Sequence, residues 1–343
     1  MVNHPQIESL PFAGGATVAV PADIHLMTPF VLREQGDWFE AEIHFIRSFL
    51  RPGMAVVDVG ANYGMYTITS AKAVGTEGRV WSYEPASLPR SCLTRSLADN
   101  HLDNVQLANT ALSDHIGVAR LGIAANAELN SLNEAGQSGE EVPLTTLDTE
   151  CLRWDRPIDL LKLDAEGEEV RILSAAKQFF ARNSPLVMFE YKHGNKVNDG
   201  LLRAITDLGM RLYRHLPGPN VLVPLSDSSE VDDYLLNVFG CDSKRAQELA
   251  DRGLLVEADV ELPVIDVHAA EATMANWFAA RPWAPSFQNA GLFAYALEDS
   301  IAYYASLAEV LKAEDVALSP AERVSRLRRG FANLLASINS DCN

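Results

Sequence analysis

Residues 56–67 read VVDVGANYGMYT, an apolar run holding Asp58 and ending in a turn with Gly60 and Gly64 four apart. In a doubly wound α/β fold a turn of this kind joins the first strand to the first helix, and ligands bind outside the carboxyl ends of the strands. The dinucleotide fingerprint GxGxxG carries a middle glycine so that a pyrophosphate can approach the backbone. Here that position is Asn62. S-adenosylmethionine has no pyrophosphate; its methionine end carries an amine and a carboxylate, which an Asn side chain and the exposed N–H groups of the turn suit. Asp58 offers a negative charge to the amine. Glu84 stands twenty residues beyond Gly64, at the end of the next apolar run RVWSYEP. An acidic side chain there accepts hydrogen bonds from both ribose hydroxyls.

A second group of reactive residues follows the run IDLLKLDAEG. Strand alternation places Ile158, Leu160, Lys162 and Asp164 on one side and Leu161 and Leu163 on the other. Asp164 is the first choice for a general base or an acceptor-orienting group, with Glu166 supporting it and Lys162 close by in a mostly buried setting. The alternatives are that Lys162 pairs with a carboxylate for structure and that Glu166 caps the next helix, where an anion is favourable. The run PLVMFEY then delivers Glu190, with His193 three residues on. These two complete an acid–base set, bind a divalent metal together with Asp164, or lie in a solvated loop. Three residues from two strand ends form no defined ligand spacing, so a metal is not the favoured reading. Upstream, Trp38, Phe39 and Glu42 either roof the pocket or pack an amphipathic helix. Of the tyrosines after the turn, Tyr63 is the expected cofactor contact and Tyr66 the expected packing residue.

These residues need a scaffold that brings strand ends to one edge. Short apolar runs (AVVDVG, RVWSYEP, NVQLANTAL, IDLLKLD, PLVMFEY) alternate with amphipathic stretches near 64–74, 87–100 and 167–182, the pattern of a parallel sheet covered by helices. A helix near 198–208 and the segment GMRLYRHLPGPNVLVPL, with PGPN at its turn, supply a closing antiparallel hairpin. The expectation is a doubly wound, Rossmann-like sheet, mostly parallel, of seven strands. A polar insertion, VARLGIAANAELNSLNEAGQSGEEVPLTTLD, reads as a hairpin or surface loop. Residues 1–50 form a leader whose helix, in DWFEAEIHFIRSFL, covers the pocket or a sheet edge. Residues 51–225 form the cofactor-binding domain and 226–343 a helical extension. The last helix of that extension opens with Ser319, Pro320 and Glu322, a capping box with proline at its first position.

The 343 residues carry a formal charge of -18, which opposes a nucleic-acid backbone. No basic stretch precedes an apolar run at the start, and no segment approaches the ~18 apolar residues needed to span a bilayer. A cytoplasmic protein with neither nucleic acid nor membrane as partner is expected. Four scattered cysteines without a CxxC pair read as lone thiols.

Taken together, VVDVGANYGMYT, YEP at 83–85, ALSD at 111–114, VPLTTLD at 142–148 and LLKLDAEGEE at 160–169 resemble the FkbM family of S-adenosylmethionine-dependent methyltransferases, over roughly residues 30–225. The resemblance implies S-adenosylmethionine as cofactor and methyl transfer to a hydroxyl of a small metabolite, a sugar or glycan, or a polyketide-type natural product. It also implies that Ser113 and Asp114 lie beside the adenine, though ALSD reads equally as a plain turn. Methyl transfer is an in-line displacement that rewards alignment, and an alcohol reacts only as its proton begins to leave. Three other readings compete. A nucleic-acid methyltransferase is opposed by the charge and by LDAEG where amino-directed enzymes carry an NPPY-like loop. A dehydrogenase using NAD is opposed by Asn62. A non-catalytic cofactor-binding scaffold would use its helical tail, through leucines and Phe331, to bind a partner or form a homo-oligomer; the same residues suit packing within the chain.

Overall fold

The runs AVVDV, LLKL and LVMFE are buried almost throughout, as strands without polar alternation must be when both faces of their sheet are covered. A computed structural model describes residues 6–122, 131–133, 139–190, 192–193, 196–225, 236–282 and 301–341. It opens with strands β1 (Ile7–Phe12) and β2 (Ala16–Pro21) and helices α1 (Met27–Gln35) and α2 (Glu42–Phe49). The alternating part runs β3 (Ala55–Val59), α3 (Met65–Val74), β4 (Arg79–Tyr83), α4 (Ser87–Asp99) and β5 (Val105–Ala108). Next come β6 (Ala111–Leu112), β7 (Gly117–Gly122), β8 (Ser131–Asn133), β9 (Glu140–Thr145) and α5 (Leu147–Glu150). Then follow β10 (Leu160–Leu163), α6 (Glu169–Ser174), α7 (Lys177–Arg182), β11 (Leu186–Glu190), β12 (Lys192–His193), β13 (Lys196–Val197) and α8 (Asp199–Asp207). The sheet closes with β14 (Arg211–Leu216), β15 (Val221–Pro224) and β16 (Asn237–Cys241), after which α9 (Ser243–Asp251), α10 (Val267–Ala279), α11 (Ile301–Lys312) and α12 (Pro320–Asp341) are helical.

The main sheet has the order β15-β14-β16-β11-β10-β3-β4-β5. Strands β3, β4, β5, β10 and β11 are mutually parallel where they pair, whereas β16 is antiparallel to both β11 and β14. The sheet therefore has eight strands rather than seven. The additional strand is NVFGC, inserted between β11 and the expected hairpin. A five-residue apolar run has no period that separates strand from helix, and this one lies among helical stretches. Its Gly240 admits the Ile205 side chain, whose Cγ2 would stand 2.7 Å from an added Cβ.

The chain order reverses between β3 and β10, so the carboxyl ends of these neighbours face the crevice where doubly wound sheets bind ligands. Three subsidiary features surround this point. In the leader, β1 and β2 form a hairpin tied to α4 by the Ser96 hydroxyl, which accepts from the Ala19 N–H at 2.8 Å. The described part of the polar insertion joins β6, from the run NVQLANTAL, in a four-stranded sheet, β6-β9-β7-β8, around Ala86, Ala111, Leu121, Val142 and Leu144. The stretch expected as one helix over 167–182 divides into α6 and α7 at Ala175 and Ala176.

Two compact units share the chain: residues 1–215 with 224–248, and residues 216–223 with 249–343. Within the second, Glu309 accepts from Arg326 at 2.6 Å and from Arg329 at 2.5 Å, an ion-pair cluster with Glu309 and Arg326 both buried. The capping box forms as expected: Ser319 Oγ accepts from the Glu322 N–H at 3.3 Å, and Glu322 Oε2 accepts from the Ser319 N–H at 2.8 Å. No described helix is long and apolar enough to cross a membrane.

Candidate active site

Two clefts open at the carboxyl ends of β3, β4 and β10, and both are built within the first unit. The first is lined by Tyr83, Glu84 and Pro85 after β4, by Thr110, Ala111 and Leu112, and by Leu121. The second holds about 440 Å³ and is lined by Trp38, Phe39 and Glu40 of the leader, Tyr66 of α3, and Glu190 and Asn237 of the sheet. Gly60, Asn62, Asp164 and Glu166 line both and mark their junction.

The glycine turn is shaped first by chain packing. A Cβ on Gly60 would lie 1.7 Å from the Asp164 carbonyl oxygen, so only glycine lets β3 and β10 end this close together. Gly64 has φ +95°, and a Cβ there would strike Leu93 Cδ1 at 2.3 Å. Between them Asn62 takes φ 49°, a left-handed conformation that asparagine tolerates better than most residues. Its N–H donates to Glu84 Oε2 at 2.7 Å, while Glu84 Oε1 accepts from the Ala86 N–H at 2.8 Å. Burial pushes the Glu84 carboxyl up to about 7, against the lowering effect of those two N–H groups. The Asn62 Oδ1 is buried and has no hydrogen-bond partner. An orphaned acceptor at the junction and a carboxylate at the end of β4 fit the amine and ribose of an S-adenosyl compound.

Behind the junction lies a buried ionic chain. Lys162 Nζ donates to Asp164 Oδ2 at 2.9 Å and to the Gly60 carbonyl at 3.2 Å, and it stands 3.6 Å from Asp58 Oδ1. Burial alone would lower the Lys162 pKa; Asp164 and Asp58 outweigh it and hold the ammonium above its ordinary range. Asp58 is 1% exposed and accepts from Thr67 Oγ1 at 2.6 Å. It lines neither cleft, so the residue expected at the cofactor amine is an internal counterion.

The second cleft is crowded with carboxylates. Burial and the neighbouring Asp164 raise Glu166 to about 7 and Glu190 to about 8, with Glu166 itself adding to the shift of Glu190. Burial likewise raises Glu40, whose Oε2 accepts from Tyr66 Oη at 2.6 Å and Asn237 Nδ2 at 3.2 Å. Among the described residues no group of three or more His, Cys, Asp or Glu is arranged to hold a metal.

Several expected positions differ. Tyr63 is fully buried and lines neither cleft, whereas Tyr66, expected only to pack, lines the second. Tyr63 lies in the glycine turn before α3, whereas Tyr66 is the second residue of the helix. Glu42 is buried in α2 and does not itself line the cleft, although its carboxyl is bonded by Asn237, which does; Glu40, Trp38 and Phe39 line it instead. Ser113 is buried with its hydroxyl donating to Glu168 Oε2 at 2.7 Å, and Asp114 pairs outside with Arg171 at 2.9 Å. The residues just before them, 110–112, line the first cleft instead. Glu166 does not cap α6, which has no side-chain cap; Glu169, its first residue, reaches back to accept from the Ala165 N–H at 2.8 Å and the Gly167 N–H at 3.1 Å and so fixes the turn after β10. His193 belongs to β12, and its side chain lies outside the described ones. Sequence reasoning missed Glu40 and Asn237. Glu40 precedes the apolar stripe of α2 as an ordinary solvated acid would, and Asn237 opens the strand that was not anticipated.

The sheet order, the switch between β3 and β10 and the clefts beside the glycine turn define a Rossmann-like α/β protein with a ligand crevice at its strand ends. The methyltransferase FkbM domain matches residues 58–237, from Asp58 to the start of β16, and the chain belongs to that family of S-adenosylmethionine-dependent methyltransferases. The chain is similar to the 31-O-demethyl-FK506 methyltransferase FkbM of Streptomyces tacrolimicus, with 27% identity over 210 residues, covering 50% of this chain and 76% of that one. Among solved structures it is similar to a methyltransferase FkbM from Methylobacillus flagellatus, at 16% identity and a TM-score of 0.40 over 59% of this chain and 50% of that one. It is also similar to an rRNA methylase from Streptococcus thermophilus, at 14% identity and a TM-score of 0.34 over 59% and 93% of the two chains.

Proposed function

We propose that the protein transfers a methyl group from S-adenosylmethionine to a hydroxyl of a small metabolite, in the range of sugars, glycans and polyketide-type natural products. The observation that carries this reading is the meeting of two clefts at Gly60, Asn62, Asp164 and Glu166, with Glu84 on one side of the junction and Glu190 on the other. One cleft suits an adenosyl group and the other an acceptor. The bound cofactor would supply an electrophilic methyl group on a sulfonium that leaves as a neutral thioether. Glu84 and Asn62 would hold it.

The chain's own contribution is alignment and proton removal. Glu190 lines only the acceptor cleft, and its carboxyl, raised to about 8, has the basicity to take a hydroxyl proton near neutral pH. Asp164 is held by Lys162 at 2.9 Å and is better suited to orient the hydroxyl than to accept its proton. The relative from S. tacrolimicus, named for an O-demethylated natural product, supports the hydroxyl as target.

Calorimetric titration with S-adenosylmethionine and, separately, NAD tests the first half of the reading. Binding of the methyl donor alone, weakened in Glu84→Ala, is the expected result; binding of neither would remove the proposal. Transfer of labelled methyl from the donor to a panel of hydroxylated and amine-only acceptors tests the second half, and label on nitrogen alone would overturn hydroxyl transfer.

A further inference from the structure

The acceptor cleft has a floor and a rim of opposite character. Its floor carries four carboxylates, from Glu40, Asp164, Glu166 and Glu190, and Lys162 is the only cation among the described residues lining either cleft. Lys162 is already engaged by Asp164 and Asp58. No described cation stands within ion-pair distance of Glu40, Glu166 or Glu190; burial raises all three, and the Lys162 ammonium offsets the rise at Glu40 and Glu166 only in part. The rim is apolar: Met27, Phe39 and Leu236 line the cleft while remaining 45%, 39% and 36% exposed. Large side chains left half in water around a cleft mark a surface that a ligand covers.

The methyl donor carries a sulfonium and an ammonium against one carboxylate, a net charge of +1. With Glu166 facing the donor across the junction and Glu190 assigned to the hydroxyl proton, Glu40 is the remaining carboxyl group of the cleft, and Lys162 acts on it without forming an ion pair. Its Oε2 accepts from Tyr66 and Asn237, and the Trp38 side chain also hydrogen-bonds the carboxyl, so three neighbours fix the group at the cleft wall. An acceptor bearing a carboxylate or phosphate would enter against like charges, whereas a cationic one would be drawn in.

Resting on the methyltransferase reading, we propose that the acceptor is an amino alcohol with an apolar body: its hydroxyl directed to Glu190, its protonated amine to Glu40, and its apolar part against Met27, Phe39 and Leu236.

Three matched probes test this on the full chain with S-adenosylhomocysteine bound: 2-amino-1-octanol, 1,2-octanediol and 2-hydroxyoctanoate, each titrated calorimetrically. The amino alcohol should bind at least about tenfold more tightly than the diol, since a hydrogen bond between charged groups is worth about 1.5–3 kcal/mol, and the hydroxy acid should bind weakest. Glu40→Gln keeps an oxygen for Tyr66 and should abolish the preference for the amine over the diol. Equal binding of amine and diol, preference for the hydroxy acid, an unaltered preference in Glu40→Gln, or binding of none of the three overturns the proposal. Saturable binding of S-adenosylhomocysteine in the same titrations distinguishes that failure from failure of the methyltransferase reading, which would lose the nucleoside ligand as well.

Discussion

Lys162 bridges two aspartates of unequal exposure, lying 2.9 Å from Asp164 Oδ2 and 3.6 Å from Asp58 Oδ1. The first carboxylate faces the junction of the clefts and the second is sealed behind it. Lys162 thereby neutralises a charge that the core cannot solvate and positions one that the cleft uses.

Replacing Lys162 by Met leaves Asp58 as a buried carboxylate without its ammonium. Breaking a buried pair in this way costs about 3–5 kcal/mol. Urea unfolding should show a loss of that size, and adding Asp58→Asn to the variant should restore part of it. Stability unchanged in the single variant would mean that Asp58 is neutral in the folded chain.

The proton-transfer assignment carries a pH signature. Glu190 must be ionised to accept the hydroxyl proton, and burial together with Asp164, Glu166, Glu169 and Glu40 raises it to about 8. With a hydroxylated acceptor of unchanging charge, kcat/KM should rise with pH up to about 8 and then level. Glu190→Gln should lose that rise and about 10²-fold or more in rate, the lower end of what a general base contributes. A profile that levels near pH 5 in the wild type would return the role of base to another carboxylate.

Much of this arrangement was legible in the sequence. The apolar runs located five parallel strands because strands buried on both faces need continuous hydrophobicity, and the glycine turn with Glu84 located the first cleft. What escaped was set by long-range packing. NVFGC becomes a strand only because β11 and β14 offer it edges, so Asn237 was not foreseen beside Glu40. Tyr63 is buried and Tyr66 lines the second cleft because the turn through the left-handed Asn62 and Gly64 sets where α3 begins, a geometry that apolar periodicity does not encode.

Stability should also depend on pH, and the sign follows from the same groups. In the unfolded chain Glu84, Glu166 and Glu190 lose their protons near the ordinary value of 4.5, whereas in the folded chain they keep them to about 7, 7 and 8. Between those limits the folded state binds more protons, so these groups favour folding below pH 4.5 and the benefit is lost as pH rises through 7 to 8. The urea midpoint should therefore fall between pH 5 and 8, less steeply in Glu190→Gln. Saturating S-adenosylmethionine, a cation, should reduce the slope further, and an unchanged slope would place its charge away from these carboxylates.

The two glycines of the opening turn should differ in their tolerance of substitution. In Gly64→Ala the new methyl group meets Leu93 Cδ1, the far end of a side chain that can rotate away, leaving mainly the strain of φ +95°. Strain of this kind costs about 1–3 kcal/mol. In Gly60→Ala the methyl group meets the Asp164 carbonyl oxygen at 1.7 Å, and that oxygen is main chain at the end of β10. Relief requires parting β3 from β10, which moves Asn62, Asp164 and Glu166 together. Thermal unfolding should rank wild type above Gly64→Ala and Gly64→Ala above Gly60→Ala. Any folded Gly60→Ala protein should lose binding of S-adenosylhomocysteine, while Gly64→Ala retains it. The opposite ranking would mean that β3 and β10 are free to separate, and that the turn glycine serves the ligand rather than the sheet.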